Sequence, residues 1–404
     1  VSWCATAQAL PAPVTHIVDT EGNPNVRELD EAITGTDAQL GPGFVYLPNT
    51  TATGACGIRS MADSILSKQV KDAERTLGLD VQLAILLATA PIGCDSLFYV
   101  PVANDVRGIG YANTDGVELF DDDPETKLEG LAFLNDFPYW EEQPDEFRTS
   151  FLHEVGHRWA ARVSASRDGI DYLLTGRQGG HWSYFLDSNG SPLEGNRFES
   201  SAPFTTATPE LRLEYSPLDL YLMGLIEPAS VGPIRLLMNG TAEGTDCAGH
   251  LVSAISPPQI CEPKAVEGQW VEFGIEDVIR REGKRQASSV ETNPSVTAAV
   301  FVFGSPSEPW SIASCERLTG VIKDRFADFA HATGERLYLE NVVENGLTCD
   351  ALTELTVPQE HFDVTGGCTF KSPSRSTRDA SRFFVIGFFG LVLATRLRRR
   401  RWVA

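Results

Sequence analysis

FLHEVGHRW, residues 151–159, decides how the rest of the chain is read. His153 and His157 stand four positions apart, with Glu154 beside the first. On an α-helix, positions i and i+4 share one face, so both imidazoles can reach a single point. Glu154 lies about 100° round the helix, where it can take a proton from an attacking water without being a ligand. Two neutral nitrogens to hold the ion and a neighbouring carboxylate to take the water's proton make up an H-E-x-x-H zinc site, so Zn²⁺ is the implied cofactor. The competing reading is a buried helix with two satisfied histidines. The setting weakens it: Pro144, Asp145 and Glu146 supply helix-start chemistry, and Phe147, Phe151, Leu152, Val155, Trp159 and Val163 give 147–163 an apolar stripe.

Outward from that stretch, residues 60–77 read as an amphipathic helix. VQLAILLATA (81–90) is a continuous apolar run of strand length, suited to burial on both faces. Residues 96–104, 107–113 and 129–136 are further strand candidates, and 121–127 is an acidic turn. These make a first unit, 14–165, of helix, strands and helix. The unit after it, 166–351, is rich in Gly, Pro, Ser and Asn. Residues 181–196 read there as a hairpin turning at 188–190, with helices at 217–226, 274–283 and 314–334. The expected class is α+β: a mixed sheet with a backing helix and an active-site helix, then an irregular, mostly helical C-terminal subdomain.

HEVGH on a helix, preceded by a mixed sheet with a backing helix, resembles the zincin metallopeptidases over about residues 60–225. The resemblance implies an edge strand along the cleft that pairs with substrate, for which 129–136 is the candidate. It also implies a third metal ligand. No third histidine follows His157 at metzincin spacing. His181, after two glycines and before an aromatic strand, is the preferred third ligand, and Glu194 is the alternative. In YSPLDLYLMGL (215–225), Met223 resembles the methionine floor of metzincins, although it serves equally well as plain core. Asp219 is suited to orienting a ligating imidazole, and Tyr184, Tyr215 or Tyr221 to donating to an oxyanion. DSNGS (187–191) reads as a turn rather than a calcium loop.

The chain has 404 residues, 42% of them hydrophobic, and a formal net charge of -22. Its basic residues concentrate in 370–404, which leaves the body more acidic still. Nucleic acid is not an expected partner, because phosphate binding needs a basic face. None of the eight cysteines falls in a C-x-x-C pair, so disulfides are the better reading, with Cys56–Cys94, Cys247–Cys261 and Cys315–Cys349 suggested by proximity. Residues 1–13 resemble the end of a signal peptide. Residues 352–382 read as a linker, and 383–404 as an apolar run followed by an arginine cluster. With Gly366, Gly367 and Cys368 ahead of it, this end resembles myxobacterial C-terminal sorting tails. That resemblance implies transient membrane contact through the tail, a sorting protease as partner, and a final place at the cell surface, in the outer envelope or outside the cell. The expectation is an exported zinc endopeptidase acting on a protein or peptide substrate, with Glu154 as general base. The alternatives are a non-catalytic surface binding or adhesion protein on the same scaffold, or a metal-dependent hydrolase of a non-peptide bond.

Overall fold

The architecture follows from two apolar runs, LAILLA and SVTAAVFVF, that are buried along almost their whole length. Such runs need cover on both faces, which the interior of a largely parallel sheet provides. In the structure, a computed structural model, the described residues are 39–47, 70–89, 97–102, 106–110, 127–199, 204–205, 213–243, 245, 249–256, 265–286, 295–304, 311–343 and 347–349. The chain lays down β1 (Gln39–Gly41), β2 (Phe44–Leu47), β3 (Leu83–Ala88), β4 (Phe98–Pro101) and β5 (Gly130–Asp136), then α1 (Phe137–Glu142) and α2 (Pro144–Gly156). An excursion follows through β6 (Ser164–Arg167), β7 (Ile170–Leu173), β8 (Leu186–Asp187), β9 (Phe204–Thr205), α3 (Pro217–Leu222), β10 (Ile234–Ala242), β11 (Ala265–Phe273) and α4 (Ile275–Glu282). The chain then returns as β12 (Ser295–Phe303), α5 (Ile312–Ala332) and β13 (Tyr338–Asn341).

The large sheet runs β1-β2-β12-β3-β5-β4, and β13 pairs with the start of β12. β12 is parallel to β2 and β3, β3 is parallel to β5, and β4 closes the far side antiparallel to β5. Strand alternation sorts side chains to two faces. Leu83, Ile85 and Leu87 join Phe147, Phe151, Val155, Leu318 and Phe329 beneath α2 and α5. Ala84, Leu86 and Ala88 join Val70 and Ala73 of the helical stretch 70–77 on the other face. α2 therefore packs against both the sheet and α5, which holds the histidines on a rigid element. Pro144 opens α2, Asp145 and Glu146 occupy its first turn, and Trp140 stacks on Phe147 at 5.1 Å between ring centroids.

The α+β class stands, and four finer expectations change. Residues 129–136 are not an edge: β5 lies between β3 and β4, and the edge is β4. Its apolar sequence is buried on both faces, with Gly130 through Asn135 all buried, as an interior strand requires. From beyond residue 165, β12 supplies a central strand of the large sheet at 295–303 and α5 covers the same face as α2. The excursion is not mostly helical. Its framework is a four-stranded antiparallel sheet, β8-β10-β11-β9, with a separate hairpin β6–β7. The half-exposed alternation of β10 and β11 is a weak signal, and Asn239 at φ 52° with the register shift at Met238/Thr241 breaks it further. Residues 181–196 form a compact loop rather than a hairpin, with Ser188 and Gly190 both donating to the Asn196 carbonyl. Finally, the helix expected over 147–163 stops at Gly156, with His157 as its C-cap. Beyond it, Arg158 leaves the helix to pair with Glu129, Arg162 caps the carbonyls of His157 and Ala160, and Ala161 takes φ 68°.

Cys315 and Cys349 form a disulfide with Cα atoms 5.8 Å apart, fastening α5 to the chain after β13. The pairs Cys56–Cys94 and Cys247–Cys261, the leader at 1–13, the linker and the tail at 352–404 lie outside the described residues. No helix among the described residues is long and apolar enough to cross a membrane.

Candidate metal centre

His153 sits in the last turn of α2, His157 caps it, and His181 arrives from the loop after the short 3₁₀ turn Arg177–Gly179. The structure brings the three together. His153 Nε2 is 3.1 Å from His181 Nε2 and 3.2 Å from His157 Nε2. These histidines lie close enough to hold a metal ion. Two nitrogens on one tetrahedral zinc stand about 3.3 Å apart, so the spacing fits.

The protons fit as well. His153 Nδ1 is 2.8 Å from the Pro192 carbonyl and His181 Nδ1 is 2.9 Å from the Arg177 carbonyl. A carbonyl only accepts, so both Nδ1 atoms carry hydrogen, and in the neutral rings both Nε2 atoms are bare lone pairs. Burial first, with the neighbouring histidines and arginines adding to it, holds His157 well below the usual imidazole range. Burial likewise lowers His181 to about 4, against the opposing pull of Glu194. Neutral lone pairs facing each other at hydrogen-bond distance repel unless a cation lies between them. The backbone carbonyls that fix the rings take the place that carboxylates often hold around metal-bound histidines.

Glu154 is buried beside the cluster, its Oε1 4.0 Å from His153 Nε2. Glu194, the alternative ligand, has its carboxylate turned to Arg177: Nε reaches Oε1 at 2.9 Å and Oε2 at 3.1 Å, and Nη2 also bonds Oε1. Burial by itself would raise the Glu194 carboxyl, but His181 and Arg177 outweigh it and the net direction is down. A carboxylate held in a buried ion pair is poorly placed to complete the cluster, and His181 completes it.

The remaining residues picked out in the sequence support the site rather than face it. Tyr215 donates from its hydroxyl to the Leu152 carbonyl at 2.6 Å and packs against Gly156, where a Cβ would meet its ring at 2.9 Å. Gly156 thus permits close approach of the tyrosine behind the histidine helix. Tyr221 accepts from the Arg285 amide, and Tyr184 packs edge-on to Phe185 and Phe198 in the core of the excursion. Asp219 does not touch a ligating imidazole. It accepts from Trp182 Nε1 at 2.9 Å and closes a capping box with Ser216, so it fixes the neighbour of His181. Met223 is buried in the cluster that contains Val155, Trp159 and Tyr215. Asp187 of the turn at 187–191 pairs with Arg235, as suits a structural turn.

Two site residues carry little sequence signal. Tyr99, on the edge strand β4, places its ring 6.4 Å from that of His157. Arg177 brings Nη2 to 3.2 Å from His181 Nε2. The one available hint was its place four residues before a candidate ligand. Comparison with family models, curated proteins and solved structures finds no match.

Proposed function

We propose that the chain is a zinc-dependent endopeptidase that hydrolyses peptide bonds in an exported protein or peptide substrate. The observation that carries this reading is the convergence of the Nε2 atoms of His153, His157 and His181 beside the buried carboxylate of Glu154. His153, His157 and His181 would hold the ion. Bound there, zinc would polarise a carbonyl and make water acidic enough to attack near neutral pH. Glu154 takes the proton of the attacking water and passes it to the leaving amine. β4, the outermost strand of the described sheet, brings Tyr99 towards His157 on the side where an extended peptide substrate would lie. The Cys315–Cys349 disulfide supports an oxidising location, at the cell surface or outside the cell. Transient membrane contact and a sorting protease acting on the tail belong to the same proposal.

Metal content and casein cleavage on the whole chain, wild type beside Glu154→Gln, test it. About one zinc per chain in both, with cleavage in the wild type alone, is the expected result. Zinc in both with no cleavage in either points to a binding protein on this scaffold or to a different bond. No metal in either refutes the metal centre itself.

A further inference from the structure

We propose that Arg177 is the oxyanion-binding residue of this site, hydrogen-bonding the substrate oxygen that gains charge when water attacks. The inference rests on the hydrolytic reading above. Three observations lead to it.

The first is position. Arg177 Nη2 lies 3.2 Å from His181 Nε2, so the guanidinium sits at the donor atoms rather than at the rim. Nη2 carries two hydrogens. One is donated to Glu194 Oε1 and the other to His181 Nε2, the atom that a metal would take, so a bound ion would free that hydrogen for an oxyanion beside it.

The second is pre-organisation. Glu194 grips the guanidinium through both carboxylate oxygens. Its side chain is 8% exposed against 36% for Arg177, so the clamp is buried while the arginine is open to a ligand. Glu194 itself takes φ 67°, a left-handed conformation uncommon for a glutamate. Backbone held in that region clusters at ligand clamps and active sites.

The third is charge. A guanidinium beside a cation site is unfavourable by Coulomb's law unless an anion joins them. Glu194 offsets one charge, and the remaining positive field is aimed where an oxyanion forms. Of the tyrosines suited to this task by sequence, Tyr215 bonds the Leu152 carbonyl, Tyr221 accepts from the Arg285 amide, and Tyr184 packs against Phe185 and Phe198 in the core of the excursion. No bond to Arg177 forms or breaks. Water adds to the carbonyl carbon, the carbon–nitrogen bond breaks, and Glu154 carries the proton from water to amine.

The test uses the whole chain loaded with cobalt in place of zinc, as wild type, Arg177→Gln and Arg177→Lys. Inorganic phosphate is titrated in and followed by the visible cobalt absorption, with cobalt stoichiometry measured alongside. Peptide cleavage by the zinc-loaded proteins is then resolved into kcat and KM. Arg177→Gln is expected to keep its cobalt, to bind phosphate at least ~10-fold more weakly, and to lose roughly 10²–10³ in kcat with little change in KM. Arg177→Lys, which keeps the charge without the fork, is expected between the two. Equal phosphate affinity in wild type and Arg177→Gln, or no phosphate binding by the wild type, would overturn the proposal. So would loss of cobalt from both variants, which would make Arg177 a structural brace. Phosphate binding that depends on Arg177 in a protein that cleaves no peptide would uphold the anion-binding assignment and overturn only the peptidase reading.

Discussion

The centre joins two regions built on different principles. His153 and His157 come from one turn of α2, a helix packed against both the sheet and α5 and positioned by its own apolar stripe. His181 comes from a segment with almost no regular structure, and a set of specific bonds holds it there. The Arg177 carbonyl fixes its ring, Asp219 holds the adjacent Trp182 indole, and Gly176 allows the Ala254 carbonyl to approach within 2.6 Å of where a Cβ would stand. The helix encodes its histidines by spacing, which survives without knowledge of the fold. The loop encodes its histidine by contacts with residues distant in sequence, which do not.

That contrast is open to direct attack. The largest effect is expected from the ligands. His157→Ala and His181→Ala should each weaken metal binding by more than ~100-fold, the upper range for losing a supporting partner, as measured by competition with a chromophoric chelator. A much smaller loss for His181→Ala would mean that the loop contributes little and the helix binds alone. Next comes the disulfide. Its 34-residue separation predicts a loss of about 3–4 kcal/mol in unfolding free energy for Cys315→Ser with Cys349→Ser, read by urea denaturation. Metal affinity should hold in that variant, since the bridge ties down α5 and not the loop. Gly156→Ala should cost about 1–3 kcal/mol, because the new methyl meets the Tyr215 ring at 2.9 Å. The smallest effect belongs to Tyr215→Phe, about 1 kcal/mol for the hydrogen bond to Leu152, with the metal retained.

The same contrast governs what could be read beforehand. Helix α2 is legible as an apolar stripe with a recognisable start, α3, α4 and α5 as short helical stretches, and β3 as a buried run. β12 has an equally apolar sequence, yet its membership in the first sheet is a long-range fact: Ala298 pairs with Leu83 across more than two hundred residues. The excursion sheet was obscured because β10 and β11 are half exposed and interrupted by Asn239 and Gly240. Within the site, His181 is legible as a histidine after two glycines and before an aromatic stretch. The role of Glu194 is not, since a carboxylate bound by Arg177 and one bound to metal look alike until the partner is placed. Tyr99 was hidden for the same reason as the edge strand that carries it: strand order is not written in any one strand.

The central claim is that the site is made of three imidazoles, two from the helix and one from the loop. X-ray absorption at the zinc edge on the loaded whole chain tests it most directly. Three imidazole nitrogens at about 2.0–2.1 Å together with a lighter oxygen shell are expected. Two imidazoles with a carboxylate in the third place, or no specifically bound zinc, would contradict it.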